Sequence, residues 1–302
     1  MSVYQNTAFP ILVTENCDRV EISSTFAREP SGKTHYKRVN LQFMKIGLAL
    51  SGGAARGMAH VGVLKVLLEH NIPIDCVAGT SAGSLVGGAF ASGLTVAQIA
   101  EMAAKVRWTL LGRIAFSRFG ILSTERMRGF IRENLPVHRF EDMPIPFACV
   151  ATDLNTGDAV VMKERGDLAN AICASCAVPG LYVPVTSEDG RQLIDGGVVE
   201  IIPTVTVRNL GADFVIAVDV VSQGAKFLDK PSTVIGVFFQ SAMLMLRTVS
   251  RYQLNTADIV IRPDVKHLRW DEVGRSKEFI KAGEAAALEA IDEIKRLIHI
   301  AS

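Results

Sequence analysis

The chain has 302 residues, of which 49% are apolar, so it can form one large core or a core with a small appendage. Its formal net charge of +1 indicates neither a nucleic-acid partner nor an acidic protein partner. A membrane-spanning helix needs about 20 apolar residues, and the longest candidate, residues 234–246, is interrupted by Gln240 and Ser241. Composition and hydropathy therefore exclude a strongly basic nucleic-acid binder and a membrane-spanning helix.

The cysteines and the N-terminal segment bear on location and domain organisation. Five scattered cysteines include Cys173-x-x-Cys176, which lacks the second pair that a zinc site needs. We interpret them as small buried residues of a reduced, cytoplasmic protein without a metal site. Residues 1–43 are polar and weakly patterned, without the features of a secretory signal. We interpret them as an N-terminal extension, a candidate for disorder, and residues 44–302 as one domain.

From residue 45 onward, short apolar runs alternate with helical patterns. The predicted strands are 45–50, 74–78, 147–152, 159–162, 193–194, 214–218 and 259–261. The predicted helices are 57–70, a helix beginning at 82, and helices near 95–107, 124–134, 167–176, 203–210, 233–252 and 276–299. Strands that alternate with helices favour a parallel sheet covered on both faces. We therefore predict a three-layer α/β/α domain with a mainly parallel central sheet.

The first motif in chain order is Ser51-Gly52-Gly53-Ala54-Ala55-Arg56-Gly57, between a predicted strand and helix. Consecutive small residues expose backbone N–H groups as an anion cradle at a helix N-terminus. A nucleotide site is disfavoured, because Met58 and Ala59 replace the Lys and Ser/Thr of a Walker loop, and Ala54 replaces the second glycine of a dinucleotide fingerprint. An oxyanion hole is the better use of these donors.

The second motif, Gly79-Thr80-Ser81-Ala82-Gly83, also lies where a strand turns into a helix. A nucleophilic serine at such a turn adopts strained backbone geometry and needs small neighbours. Gly79 and Gly83 leave room for the backbone, and Ala82 offers an N–H to an oxyanion. Glycines at this spacing also permit close helix packing, and both interpretations can hold together. The pattern predicts Ser81 as a nucleophile.

A serine nucleophile usually needs a histidine base, but none of the six histidines stands out. His60, in the helix after the first glycine turn, is interpreted as a packing residue. Asp195 instead ends a strand and is followed by two glycines, where a carboxylate can accept the serine proton directly. Asp153 and Asp219 also follow strand patterns and remain rivals, although capping of its own turn explains Asp153 better.

Together, the two glycine turns and Asp195-Gly196-Gly197 resemble, in this order, the motifs of the patatin-like phospholipases. The resemblance extends over residues 45–263 and is closest to short, single-domain bacterial members that are similar to neuropathy target esterase. It also includes residues 151–157 and the turn at 178–180. Three ordered motifs are more specific than any one of them. The family is known for a Ser–Asp dyad, which accounts for the missing histidine.

The resemblance implies a patatin-like fold and a serine esterase that hydrolyses acyl ester bonds of phospholipids or lysophospholipids, with no cofactor. Ser81 would attack the ester carbonyl, and Asp195 would act as the general base. An ordinary aspartate, with a pKa near 3.9, is a weak base. Burial beside the serine should therefore raise the pKa of Asp195. Acyl transfer to an alcohol and a non-catalytic regulatory protein that retains the fold remain alternatives.

The same resemblance assigns the oxyanion hole. Backbone N–H groups of Gly52, Gly53 and Ala54 would bind the oxyanion. Arg56 matches the basic position beside this loop, where helix capping, loop ordering and substrate contact all remain open. Ser51 and Ala54 stand where glycines are common in the family, and the Cβ of Ala54 narrows the range of φ and ψ open to the loop.

Residues 105–128 contain six basic residues and one acid, interleaved with Trp108, Phe116 and Phe119. Such a segment can enter a bilayer interface while arginines meet lipid phosphates, and an equal alternative is a loop and helix packed on the core. The arginines in question are Arg107, Arg113 and Arg118. Residues 243–245 are interpreted as core rather than as an acyl-chain tunnel. We expect a lipid ester substrate and no nucleic-acid partner, and the oligomeric state stays open.

Overall fold

In the computed structural model of the chain, the described residues are 12–16, 19–25, 36–39, 44–117, 119–221 and 233–301. Only the backbone is described for residues before 44. The same holds for residues 116, 234, 235, 238, 239, 242 and 299–301. The chain divides into two compact units, Met1–Phe43 and Met44–Ser302. In the first unit, three strands form an antiparallel sheet in sequence order: β1 (Leu12–Asn16), β2 (Arg19–Thr25) and β3 (Tyr36–Val39). The expectation of disorder for the other residues of this unit falls outside the described residues.

The second unit is organised around an eight-stranded sheet. The strands of this sheet are β4 (Ile46–Leu50), β5 (Cys76–Thr80), β8 (Phe147–Asp153), β9 (Ala159–Lys163), β10 (Val185–Thr186), β11 (Gln192–Asp195), β12 (Phe214–Val218) and β13 (Ile259–Ile261). Two further strands, β6 (Arg113–Ser117) and β7 (Gly120–Ser123), form a separate hairpin. The order is β10-β11-β8-β5-β4-β12-β13, and β9 pairs with β8. The run from β8 to β13 is parallel, whereas β9, β10 and β11 pair antiparallel.

Helices flank this sheet, and the described helices of the second unit are α1 (Ala59–Glu69), α2 (Ala82–Ala91), α3 (Val96–Lys105), α4 (Trp108–Leu111), α5 (Glu125–Asn134), α6 (Leu168–Ser175), α7 (Thr204–Asn209), α8 (Val234–Gln253) and α9 (Ser276–Ala301). None of these helices combines the length and the apolar character that crossing a bilayer requires. Strands β4, β5, β8 and β12 are buried at every residue, because layers on both faces exclude water. The predicted α/β class with a mainly parallel central sheet is confirmed.

The predicted elements agree with the observed ones to within a few residues, but several observed elements were not predicted: β1 to β3, α4, β10 and the hairpin of β6 and β7. The sequence pattern did not indicate the hairpin of β6 and β7, which occupies part of the segment 105–128. Its strands are short and largely exposed, so no buried face imposes the period of two that reveals a strand. The segment consists of the short helix α4, this hairpin and the start of α5.

Helices α1 and α9 pack against each other at unusually close range. Both contribute a glycine at the crossing. A Cβ at Gly62 would lie 2.0 Å from the Ile280 carbonyl oxygen, and a Cβ at Gly283 would lie 1.9 Å from the Ala59 carbonyl oxygen. Only hydrogen fits at these two positions, because the opposing atoms belong to rigid helical backbone.

The variant Gly283→Ala tests this close packing. A glycine-to-alanine change in an exposed helix interior stabilises by about 0.5–1 kcal/mol, but here overpacking against Ala59 should outweigh that gain and destabilise by about 1–3 kcal/mol. Gly129→Ala in α5 is the matched control, because no heavy atom lies within 4 Å of its added Cβ. Urea unfolding should show opposite signs for the two variants. Equal stabilisation of both would contradict the packing described.

Candidate functional site

The turn between β5 and α2 holds Ser81 in a backbone conformation that L-residues rarely adopt. Its φ is 53° and its ψ is −124°, a region that costs about 1–3 kcal/mol. The flanking glycines are sterically required: a Cβ at Gly79 would lie 2.4 Å from the Gly83 carbonyl oxygen, and one at Gly83 would lie 2.2 Å from the Leu50 carbonyl oxygen. The glycines therefore serve close packing and the strained turn at once.

Asp195 reaches Ser81 because β5 and β11 approach each other along one edge of β8. Thr80, the last residue of β5, is paired with Val150, and Asp195, the last residue of β11, is paired with Ala151. Strand β9 occupies the other edge of β8 over both positions. Two strands of opposite direction therefore end next to each other, and their final residues face one another.

The Ser81 side chain lies close enough to the Asp195 carboxylate to stabilise its negative charge. Burial raises the pKa of Asp195 to about 6, against the opposing effects of the Ser81 side chain and of the Gly197 backbone N–H. The Gly197 N–H donates to Asp195 Oδ1 at 2.7 Å. A carboxylate with a pKa near 6 is a stronger base than an ordinary aspartate, yet it stays ionised at neutral pH.

Residues at the end of α6 and just after it form hydrogen bonds with both Ser81 and Asp195. Ser175 Oγ accepts a hydrogen bond from the Ser81 backbone N–H at 2.9 Å. Two residues later, the Ala177 carbonyl accepts one from the Asp195 N–H, also at 2.9 Å. On the opposite side, Thr152 Oγ1 donates to the Asp195 carbonyl at 3.0 Å. Ser175 was missed by sequence reasoning, because nothing local marks a serine in a helix of small residues as a partner for a residue 94 positions away.

The first glycine turn lies beside Ser81 but offers fewer amides than the sequence suggested. The Gly52 N–H donates to the Ile201 carbonyl at 2.9 Å, so this amide is not available to an oxyanion. Gly52 has a steric role instead, since a Cβ there would lie 3.3 Å from Ser81 Cβ and 2.5 Å from Ile201 Cδ1. The backbone N–H groups of Gly53 and Ala54 have no acceptor among the described residues. Ala54 adopts a φ of 51°.

Of the three roles left open for Arg56, helix capping, loop ordering and substrate contact, its hydrogen bonds favour ordering of the loop. Its N–H donates to the Gly53 carbonyl, and its Nε donates to the Leu268 carbonyl at 3.3 Å. The guanidinium is fully buried, and this burial lowers its pKa to about 10 despite the nearby Asp271 carboxylate. The side chain thus joins the glycine turn to the segment around Leu268 and is not among the residues that line the cavity described below.

His60, Asp153 and Asp219 were considered in the sequence analysis, and each has a hydrogen-bond partner other than Ser81. His60 is fully buried and its Nε2 lies 2.8 Å from the Ser51 carbonyl oxygen, so it packs behind the glycine turn. Burial lowers the pKa of His60 to about 4, which keeps the imidazole neutral. Asp153 Oδ1 accepts from the Asn155 N–H, the predicted turn cap, and Asp219 Oδ1 accepts from the Val221 N–H. None of the three lines the cavity that Ser81 and Asp195 share.

A cavity of about 180 Å³ opens beside the pair. Ser81, Asp195, Gly53 and Ala54 all line it. Its other walls are overwhelmingly apolar and come from distant parts of the chain, including Val86, Ile99, Met102, Val106, Trp108, Leu111, Met127, Val178, Leu181, Val221, Met243, Leu246, Trp270 and Val273. A few polar groups thus lie together in an otherwise apolar cavity. This arrangement suits a ligand with a polar reacting group and an apolar tail.

The structure corrects the interpretation of residues 243–245 as core. Met243 lines the cavity, whereas Met245, two residues later and on the opposite side of the helix, is 69% exposed and Leu244 is 48% exposed. In segment 105–128, Trp108 lines the cavity, contacts Trp270 edge-on at 6.0 Å, and donates from Nε1 to the Asp271 carbonyl. Arg118 and the side chain of Phe116 lie outside the described residues.

The chain is similar to several known proteins. Residues 48–207 match the family model for patatin-like phospholipase. An uncharacterised NTE family protein of Mycobacterium tuberculosis is 38% identical over 177 residues, which are 58% of this chain and 48% of that protein. Patatin-like phospholipase domain-containing protein 6 of Homo sapiens is 33% identical over 220 residues, which are 70% of this chain and 15% of that protein. The chain thus spans less than half the length of both relatives.

Among solved structures, VipD from Legionella pneumophila has a TM-score of 0.49 to this chain at 15% sequence identity. That match covers 97% of this chain and 72% of VipD.

The hydrogen bond from the Ser81 backbone N–H to Ser175 generates a prediction about the position of Ser81, the candidate nucleophile. Ser175→Ala leaves the buried Ser81 N–H without an acceptor, at a cost of about 1–3 kcal/mol, and should slow phosphonylation of Ser81 by a fluorophosphonate probe about tenfold or more. Ser92→Ala is the matched control, because Ser92 is equally buried but only donates to Ala89 of its own helix. An unchanged labelling rate in Ser175→Ala, at a similar loss of stability in both variants, would assign Ser175 a purely structural role.

Proposed function

Because this chain belongs to the patatin-like phospholipase family, we propose that it is a serine esterase that hydrolyses acyl ester bonds of phospholipids or lysophospholipids. Ser81 is the nucleophile and Asp195 is the general base. The observation that carries the proposal is the placement of the Ser81 side chain beside a desolvated Asp195 carboxylate, with both residues lining one apolar cavity. A serine and a carboxylate in that relation suffice for proton transfer without a histidine.

The first half of the reaction forms an acyl-enzyme. Ser81 Oγ attacks the carbonyl carbon of the ester while its proton passes to Asp195. The carbonyl oxygen becomes an oxyanion, and the N–H groups of Gly53 and Ala54, which have no acceptor among the described residues, are the donors for it. When the tetrahedral intermediate collapses, the alcohol oxygen leaves and takes the proton from Asp195. The acyl group remains on Ser81.

The second half regenerates the enzyme. A water molecule loses a proton to Asp195 and attacks the acyl carbonyl carbon, and a second oxyanion forms at the same amides. Ser81 Oγ then leaves with the proton from Asp195, and the fatty acid is released. Asp195 therefore alternates between base and acid, for which a pKa of about 6 is better suited than an ordinary carboxylate.

The apolar walls of the cavity support a substrate with a long acyl chain. Trp108 and Leu111 belong to the segment 105–128 and also line the cavity. We propose that this segment contacts the bilayer surface from which the lipid enters. Its exposed apolar side chains and its arginines are suited to that position.

Substitution of the proposed dyad should abolish turnover while the fold is retained. Ser81→Ala and Asp195→Asn should each lower kcat on a lysophospholipid by a factor of about 10² or more, because the nucleophile or the only base is lost. Asp153→Asn is the matched control: it is as buried as Asp195 and lies on the adjacent strand, but its amide oxygen can still cap the turn at Asn155. Full activity of Asp195→Asn, measured by fatty-acid release, would exclude the dyad.

The raised pKa of Asp195 predicts a pH profile for the soluble substrate 4-nitrophenyl butyrate. The reactive form is the carboxylate, so kcat/KM should be constant above about pH 7 and fall about tenfold per pH unit below about pH 6. His60, with a pKa of about 4, stays neutral over this range and contributes no inflection. A profile that is flat from about pH 8 to about pH 5 contradicts Asp195 as the base.

A further inference from the structure

One side of α8 exposes a row of apolar side chains to solvent, with Ser241 and Thr248 among them. Met245, Val249 and Tyr252 lie on successive turns, and Met245 and Tyr252 are 69% and 72% exposed. We call this row the α8 face; it consists of Val237, Leu244, Met245, Val249 and Tyr252. Scattered apolar residues on a surface are ordinary, but a cluster of large ones along one helix is typical of an interaction site.

The other side of α8 belongs to the cavity of the proposed active site. Met243 and Leu246 line that cavity, while Leu244 and Met245 point the other way. The helix is therefore a single wall with apolar side chains on both surfaces. Whatever covers the α8 face comes to lie next to the apolar walls that would hold an acyl chain.

The charges of α8 are of one sign. The helix contains Arg247 and Arg251 and no aspartate or glutamate. Arg251 is exposed in the last turn, on the same side as Tyr252. An apolar row bordered by arginine, with a tyrosine at its end, is the composition that favours the interface of an anionic bilayer, where aromatic rings and cations meet the headgroups.

A second exposed apolar element borders the same cavity. In the hairpin of β6 and β7, Ile114 and Ile121 are exposed, and Arg113 beside them is exposed as well. The hairpin follows α4, whose Trp108 and Leu111 line the cavity. Two apolar, cationic elements from distant parts of the sequence therefore frame one cavity, which favours a lipid surface over a protein partner of mixed charge.

We propose that the α8 face inserts into the interface of a membrane that contains anionic lipid. The apolar side chains enter the acyl-chain boundary while Arg251 meets lipid phosphates, and the cavity on the other side of the helix receives its substrate from that membrane. The proposal rests on the proposed function only for the substrate; the docking itself requires no catalysis.

Vesicle binding tests the docking independently of activity. We would measure co-sedimentation of the full chain carrying Ser81→Ala with vesicles of phosphatidylcholine and phosphatidylglycerol (about 7:3). Adding M245E and Y252E to this chain should weaken its partition at least about tenfold, since two apolar contacts are replaced by charges of the wrong sign. Adding L288E instead, which changes a leucine of α9 that is 55% exposed, should leave the partition unchanged. Neither Met245 nor Tyr252 lines the cavity, so the M245E/Y252E variant with Ser81 intact should hydrolyse 4-nitrophenyl butyrate at the rate of the unmodified chain.

Three outcomes would overturn the proposal. The first is that the chain carrying only Ser81→Ala fails to sediment with these vesicles. The second is that M245E/Y252E binds them as tightly as L288E does. The third is that analytical ultracentrifugation reveals a dimer that M245E/Y252E dissociates, which would assign the face to a second copy of the chain. Vesicle binding by a chain that hydrolyses no ester would refute the proposed function and leave the docking intact.

Discussion

One edge of β8 organises the site. It is shared by two strands that run toward each other, β5 and β11, and they end opposite Val150 and Ala151. A hydroxyl from one and a carboxylate from the other are thereby brought together inside the domain, where burial raises the pKa of Asp195. The antiparallel direction of β11 is essential, because a parallel strand would place its carboxyl end away from Ser81. The departure from a purely parallel sheet is thus what creates the pair.

Holding that pair requires backbone atoms at distances that side chains would prevent. A Cβ at Gly196 would lie 2.1 Å from the Val150 carbonyl oxygen, next to the point where the two strands meet. Ser81 and Ala54 carry the resulting strain in positive φ values, at about 1–3 kcal/mol each. The partners from α6 and the buried Arg56 resist relaxation of this geometry. The motif glycines are therefore part of the packing as well as of the chemistry.

The cavity and the outer surface meet at α8. Met243 and Leu246 of this helix line the cavity, whereas Leu244 and Met245 are exposed to solvent. This explains why residues 243–245 cannot be described as core: Met243 faces inward and Met245 faces out. An enzyme whose substrate partitions into membranes gains from such a wall, because the apolar surface around the cavity then continues into the surface that meets the lipid.

The sequence by itself determined the alternation of strands and helices, the parallel sheet and the two turns that carry Ser81 and Asp195, since these depend on local period and on small residues at strand ends. Tertiary structure alone decided which amides remain free, as the contact of Gly52 with Ile201 demonstrates. It also decided the anchoring of Ser81 by Ser175 and the opposite environments of Met243 and Met245. Those features arise between residues far apart in the chain, where no local pattern records which atoms will meet.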